Sequence, residues 1–287
     1  MKYEIARKSS RNFSLPILGL GTWTMGGNRF DRDAISHQSD IQAVKRAIDA
    51  GITHLDTAEI YSDGGAEEVV GEAIKNWDRT KLFITSKVSG NHLGYDEIIK
   101  ACRDSLARLK IKKLDLYLVH WPNPVFPIKD TMRAMDSLLE SGLIANIGVS
   151  NFDPSDLEEA QSHAKHKIVN NQVHYNLQAR GHEKTGTFDY CREHDILVTA
   201  YRPLARGEFA ESEILQKIGK KYQKTALAVA LNWVLHKDNI VAIMKTSNPE
   251  HLQENLTALG WRLDAEDEKY LDEHFPVGAT KGVGAEP

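Results

Sequence analysis

The sequence predicts a (β/α)8 barrel, and three observations carry that prediction. Eight short apolar runs, rich in β-branched residues, recur along the 287 residues, and amphipathic helical stretches lie between them. The runs are nearly continuously apolar, not alternating, as parallel strands covered on both faces require. Alternation of strand and helix alone leaves an open, doubly wound sheet as the alternative. The third observation favours closure. The first run ends GLGTWT, so Thr24 stands where the fingerprint of a doubly wound nucleotide fold needs a third glycine.

In chain order, the opening MKYEIARKSSRNFSL reads as a hairpin able to plug the N-terminal end of the barrel. Strands are expected at 16–21, 52–56, 82–87, 114–120, 144–150, 168–173, 196–201 and 240–245. Of the helices, DIQAVKRAIDAG carries Ile41, Val44, Ala47 and Ile48 at helical spacing, with Gly51 as its stop. DEIIKACRDSLARLK and DTMRAMDSLLESG repeat the pattern, and NFDPSDLEEAQSHA starts with Pro154 and acidic residues in its first turn. Between the last two strands there is room for two helices, 210–222 and 224–236, one of them an addition to the plain repeat. With short connections and no linker, 1–287 is expected to be a single domain, with 275–287 a flexible glycine-rich tail.

Composition bounds the function. At 41% hydrophobic and 26% charged, the chain can bury a core without a disulfide or metal staple. A formal net charge of −4 argues against nucleic-acid and anionic-membrane partners. Cys102 and Cys191 are too few for a disulfide framework and read as small hydrophobes. The start lacks an apolar signal region, and no 18-residue apolar run occurs, so a cytoplasmic protein is expected; a monomer is expected as well.

In barrels of this kind, chemistry sits at the C-terminal ends of the strands. The polar residues there are Asp56 with Tyr61 in its loop, Lys87, His120 with Trp121, Ser150 with Asn151, Gln172, Tyr201, and Lys245 with Thr246. Each alone has an ordinary reading, as helix cap, packing residue, snorkelling cation or hydrogen-bonded histidine. An acid, a phenol, an ammonium and an imidazole on three adjacent strand tops are harder to dismiss together. A phenol titrates near ~10, too high for free proton exchange at neutral pH, and a neighbouring ammonium favours its ionised form. Asp56 is therefore expected to hold Lys87, Lys87 to lower the Tyr61 hydroxyl, and His120 to orient a substrate oxygen.

GLGTW (19–23), HLDTAEIY (54–61), TSK (85–87), LVHWP (118–122), IGVSNF (147–152), NQVHYN (171–176), AYRPLARG (200–207) and KTSNPEHLQEN (245–255) occur in this order. With these the chain resembles the aldo-keto reductases along essentially its whole length. The resemblance implies a nicotinamide-dependent reductase of aldehydes and ketones with the tetrad Asp56, Tyr61, Lys87 and His120, and no metal. Tyr61 would be the general acid in reduction. Histidine at 120, where relatives that reduce carbon–carbon double bonds carry glutamate, favours carbonyl chemistry. Trp23, Tyr61, His120 and Trp121 would line the substrate pocket.

For the cofactor, the resemblance implies Ser150, Asn151 and Gln172 on the nicotinamide carboxamide and Tyr201 stacked on its ring. Thr22, Trp23 and Asp56 would lie nearby, and Leu204 and Gly207 along the pyrophosphate. Lys245, Thr246, Ser247 and His251 would surround the adenosine 2′-phosphate, with Glu254 and Asn255 on the adenine. Two positions depart from the pattern: His251 replaces the usual arginine, and Arg202 a common serine. Because Lys245 remains, NADPH is expected to be preferred, but with weakened discrimination against NADH. Short loops after the fourth and seventh strands suggest an open mouth for varied small carbonyl substrates.

Three rival readings use the same residues. A Schiff-base aldolase on Lys87 needs a lysine without a firm counter-ion, and Asp56 speaks against it. A metallohydrolase could draw on His54, Asp56, His120 and His174, but it wants a His-x-His pair after the first strand, which GLGTWTMGG lacks. A nucleotide-binding partner subunit of the same fold, like the β subunits of voltage-gated potassium channels, would need a partner surface that no motif marks.

Overall fold

The computed structural model describes residues 2–11, 13–28 and 34–278. A hairpin comes first, β1 (Arg7–Ser10) and β2 (Phe13–Pro16), antiparallel from Arg7 opposite Pro16 to Ser10 opposite Phe13. Eight parallel strands follow: β3 (Leu18–Gly21), β4 (His54–Asp56), β5 (Phe83–Val88), β6 (Leu116–Val119), β7 (Ile147–Ser150), β8 (Ile168–His174), β9 (Leu197–Tyr201) and β10 (Ile240–Met244). Each pairs with the next in chain order, and β10 pairs with β3 to close the ring. The barrel expectation holds and the doubly wound alternative falls.

Helices run back between the strands: α1 (Ala34–Asp49), α2 (Gly65–Ile74), α3 (Tyr95–Leu109), α4 (Ile128–Glu140) and α5 (Pro154–His163). The short α6 (Gly181–Lys184) and α7 (Thr187–Glu193) join β8 to β9. Then come α8 (Glu213–Tyr222) and α9 (Ala226–Leu235), the expected helix pair, with α10 (Pro249–Leu256) and α11 (Ala265–His274) last. Caps explain several starts. Asp153 accepts from the Asp156 amide with Pro154 in the first turn of α5, and Asn248 accepts from Glu250 ahead of α10. No helix among the described residues is long and apolar enough to cross a membrane.

The hairpin closes the barrel's N-terminal end, as the sequence suggested. Phe13 and Leu15 pack on Leu116, Leu118, Leu197 and Val241, which form a cluster separate from the main core. Burying Leu15 completely contributes roughly 2–3 kcal/mol. Lys8 pins the plug by donating to the carbonyls of Leu235 at 2.8 Å, Ile240 at 2.7 Å and Lys237. The tail expected from residue 275 begins anchored, because the Phe275 carbonyl accepts from Arg180 Nη1 at 2.9 Å. Residues 279–287 lie outside the described residues.

Side chains alternate along a strand, so positions two apart share a face. From Leu116 and Leu118 the interior face of β6 runs on to His120, and from Leu197 that of β9 runs through Thr199 to Tyr201. On β5 it passes from Phe83 through Thr85 to Lys87. The middle layer is polar and bonded largely within itself, though His54 Nδ1 has no hydrogen-bond partner. His54 Nε2 meets Thr85 Oγ1 at 3.0 Å, and Asn170 Nδ2 donates to Thr199 Oγ1 and the Leu197 carbonyl, both at 2.9 Å. Gly19 makes room for His54: a Cβ there would lie 2.7 Å from its Nδ1. His54 is thus an interior packing residue. Burial pushes it down to about 4, opposed by Asp56 and assisted by Lys87. Cys102 and Cys191 are free and buried, and burial lifts both thiols to about 12, which leaves them unreactive.

Candidate active site

Asp56, Lys87, His120, Ser150, Gln172 and Tyr201 stand at or beside the C-terminal ends of six consecutive strands, β4 to β9. All but Lys87 line a cleft of about 840 Å³ and form its floor and walls. Lys87 is fully buried beneath that floor. Its Nζ donates to Asp56 Oδ1 at 2.5 Å, to the Thr57 carbonyl at 2.8 Å and to the Tyr61 hydroxyl at 3.3 Å. One residue before it, Ser86 faces outward and donates to buried Glu67 at 2.5 Å, which also accepts from Arg108 Nε at 2.7 Å. That pair fixes the rotation of β5 and so the inward aim of Lys87.

Tyr61 reaches the site because the loop after β4 turns sharply. Ser62 and Asp63 both take left-handed φ values of 50°, and Gly64 follows at 81°. The Tyr61 ring meets His120 edge-on, centroids 5.7 Å apart, and His120 in turn tilts against Trp121 at 5.0 Å. Burial pushes His120 well below its ordinary value, with the Lys87 ammonium adding to the effect, so the imidazole is neutral at pH 7.

The electrostatics correct one expectation. Burial raises the Tyr61 hydroxyl above its ordinary value; Lys87 opposes that shift but does not overcome it, and Asp56 adds to it. Enclosure of the phenol outweighs the cation beside it. Lys87 itself feels burial most strongly, which disfavours its charge, yet Asp56 and Tyr61 together hold it above the usual lysine range. Tyr61 is therefore protonated and Lys87 charged at neutral pH.

Around the cleft, Tyr201 stacks on His174, centroids 5.3 Å apart and planes 9° from parallel, and donates to Asn151 Oδ1 at 3.0 Å. Asn151, turned off β7 at φ 61°, donates to the His120 carbonyl and Ser150 Oγ. Trp23, Trp121, Leu204, Gly207, Lys245, Thr246, His251, Glu254 and Asn255 all line the cleft. Three nominated residues besides Lys87 behave differently. Thr22 is buried, its amide and hydroxyl both donating to the Asp56 carbonyl. Ser247 is absent from the cleft wall, its hydroxyl bonded to Asp40 Oδ1 at 3.2 Å and its carbonyl to Arg46 at 3.3 Å. Gln172 lines the cleft but spends an N–H on Asp56 Oδ2 at 2.8 Å.

Ile60, Asn91 and Arg206 also line the cleft and went unnoticed in the sequence. The Arg206 and Arg202 guanidiniums lie 5.1 Å and 5.5 Å from the Trp23 ring centroid. Arg206 stands within AYRPLARG, between Leu204 and Gly207, so the motif already carried it. His54, Asp56, His120 and His174 do not gather into a metal-binding cluster, His54 lying in the layer below and His174 behind Tyr201.

A closed parallel barrel that buries an acid–ammonium–phenol chain under its cleft defines a class, the barrel oxidoreductases. The aldo/keto reductase family model matches residues 17–275. The chain is 37% identical over 282 residues to methylglyoxal reductase YeaE of Escherichia coli (strain K12), covering 96% of both. It is 38% identical over 283 residues to glyoxal reductase of Bacillus subtilis (strain 168), covering 98% of this chain and 95% of that one. The thermostable aldo-keto reductase Tm1743, solved with the inhibitor epalrestat, matches with a TM-score of 0.91 and 41% identity, covering 94% of this chain and 99% of that one. An aldo/keto reductase from Klebsiella pneumoniae in complex with NADP and acetate matches with a TM-score of 0.88 and 34% identity, covering 98% of each chain. The chain belongs to the aldo/keto reductase family, and it is an oxidoreductase that reduces carbonyl groups.

Proposed function

We propose that this enzyme reduces small aldehydes and ketones, α-dicarbonyls among them, with NADPH, and that Tyr61 delivers the proton. The observation that carries the reading is the buried chain from Asp56 through Lys87 to Tyr61, at 2.5 and 3.3 Å, under a cleft that His120 and two tryptophans line. The donor set fits a nicotinamide dinucleotide. Tyr201 has one face covered by His174 and also lines the cleft, which supports a stacking role. Ser150, Asn151 and Gln172 offer amide and hydroxyl groups for a carboxamide, and Leu204 and Gly207 offer backbone for a pyrophosphate. Arg202, Lys245, Thr246 and His251 provide donors for phosphate oxygens, while Glu254 and Asn255 suit an adenine. When bound, the reduced nicotinamide supplies the hydride.

This chain's own residues do the rest. The neutral His120 imidazole orients the carbonyl oxygen toward the Tyr61 hydroxyl. Tyr61, protonated at neutral pH, gives its hydrogen to that oxygen as the carbonyl carbon gains the hydride, so an alcohol forms. The phenolate left behind is stabilised by the Lys87 ammonium, which Asp56 keeps charged and fixed. Reprotonation from solvent through the open cleft resets the site.

Methylglyoxal and glyoxal name the substrates of two relatives, and a short-looped mouth supports a similarly permissive range here. Lys245 favours NADPH, and His251, without a guanidinium fork, weakens the discrimination. Reduced-nicotinamide oxidation against a panel of aldehydes, ketones and dicarbonyls, run with NADPH and NADH, tests this reading. Turnover across several small carbonyls with higher kcat/KM for NADPH is the expected result. No turnover with any carbonyl, or a clear NADH preference, would overturn the corresponding half.

A further inference from the structure

Gln172 does something that a nucleotide contact alone does not require. Its Nε2 donates to Asp56 Oδ2 at 2.8 Å, joining residues 116 positions apart in sequence. In the ring order β10-β3-β4-β5-β6-β7-β8-β9, β4 and β8 stand four places apart, on opposite sides of an eight-stranded barrel. The bond therefore spans the barrel's diameter at the level of the reacting groups. Both residues are buried, Asp56 completely and Gln172 at 3% exposure.

A carboxylate held out of water needs partners on both oxygens. Oδ1 of Asp56 has Lys87, and Oδ2 has Gln172. An ionised carboxylate only accepts, so the amide must present an N–H there, which fixes its orientation. A second N–H and the carbonyl of the amide remain for a ligand in the cleft. Gln172 is itself well set, because Asn170, one interior layer below on the same strand, is tied to Thr199 and to the Leu197 carbonyl.

We propose that Gln172 is a positioning residue for the proton relay: by holding Asp56 Oδ2 from across the barrel, it commits Oδ1 to Lys87 and keeps the ammonium within reach of Tyr61. The inference deepens the proposed reduction and rests on that reading for its kinetic arm. Without the amide, Oδ2 is an orphan, and the carboxylate rotates to share Lys87 over both oxygens or takes up a proton. Either response weakens the cation that faces Tyr61. The charged and titratable groups around this carboxylate are Lys87 from β5, Tyr61 from the loop after β4, His54 from the layer below and His120 beside Tyr61. Arg202, after β9, acts electrostatically on Tyr61.

Two substitutions test it, with thermal unfolding run beside them to confirm a folded protein. Gln172→Met keeps the volume and removes the donor. It is expected to lower kcat about tenfold to a hundredfold, the equivalent of one hydrogen bond to a charged group. It should also change the pH profile of kcat, while the affinity for 2′,5′-ADP, which lacks the nicotinamide, stays as in wild type. Gln172→Glu places a second carboxyl against Asp56, and two such groups share one proton. In its protonated form the new carboxyl donates to Oδ2 as the amide does, so activity persists in acid and falls as the pair loses its shared proton with rising pH.

Carbon-13 NMR of the introduced carboxyl reads the pair without any turnover. Titration well above the ordinary carboxylate range supports the brace; titration within that range overturns it. A Gln172→Met enzyme whose only change is a higher KM for the nucleotide, with wild-type kcat and pH profile, also overturns it. If the wild type reduces no carbonyl, the proposed function fails, and the NMR titration still decides whether residue 172 braces Asp56.

Discussion

Replacing Lys87 with methionine removes the buried cation and keeps most of the side-chain volume. Asp56 is then left fully buried, with nothing at Oδ1 where Lys87 Nζ stands at 2.5 Å. Breaking a buried ion pair from one side costs about 3–5 kcal/mol, because the remaining charge has neither water nor a counter-ion. For a chain of this size that lowers Tm by roughly 10 °C. The carboxyl relieves part of the cost by binding a proton, so in the variant its value rises above the ordinary carboxylate range. A carboxyl raised in the folded state holds a proton that the unfolded chain has released. Lys87→Met should therefore lie closest to wild type in acid and lose stability as pH rises through the raised value. Urea unfolding at a series of pH values reads both the size and the slope. The double variant Asp56→Asn/Lys87→Met removes both charges and is expected to recover most of the lost stability. It stays inactive, since Tyr61 still lacks its ammonium. A single variant as stable as wild type at neutral pH, or a double variant no more stable than the single, would refute the ion-pair reasoning.

Buried histidines make a second prediction, about acid stability. Burial lowers His54 and His174 to about 4, and His182 and His120 are also depressed. The unfolded chain protonates these rings near ~6.5 while the folded chain does not, so stability present above ~6.5 is lost as pH falls toward 4. Fully buried His54 alone accounts for up to roughly 3 kcal/mol of that loss. Unfolding followed from neutral pH downward should be shallower in His54→Gln, and an unchanged slope would count against the assignment. Thirdly, His251→Arg supplies the missing guanidinium fork and is expected to raise the preference for NADPH over NADH by about tenfold. Nucleotide affinities measured by fluorescence titration check this, and an unaltered ratio would place the 2′-phosphate elsewhere.

The barrel was legible because its strands are covered on both faces and so are written as continuous apolar runs. Their edges were less so. The first run was expected over 16–21, but Pro16 ends the plugging hairpin and β3 starts at Leu18. The polar middle layer escaped notice, since His54, Thr85, Asn170 and Thr199 find their partners across strands, where no sequence spacing records them. The neighbourhood of Asp56, Lys87 and Tyr61 was legible because strand-top positions are countable, and their side chains form the expected hydrogen-bonded chain. The direction of the Tyr61 shift could not be read, because it depends on how completely the ring is enclosed. The bond from Gln172 to Asp56 was equally hidden, being a property of ring closure and not of either strand.

The most direct test removes one oxygen. Tyr61→Phe keeps the ring, its edge contact with His120 and the whole cleft, but leaves no hydroxyl 3.3 Å from Lys87. Single-turnover oxidation of bound NADPH with a reactive aldehyde is expected to slow by ~10²–10⁴-fold, with the Kd for NADPH essentially unchanged. Turnover at the wild-type rate in that variant would contradict the claim that Tyr61 is the proton donor.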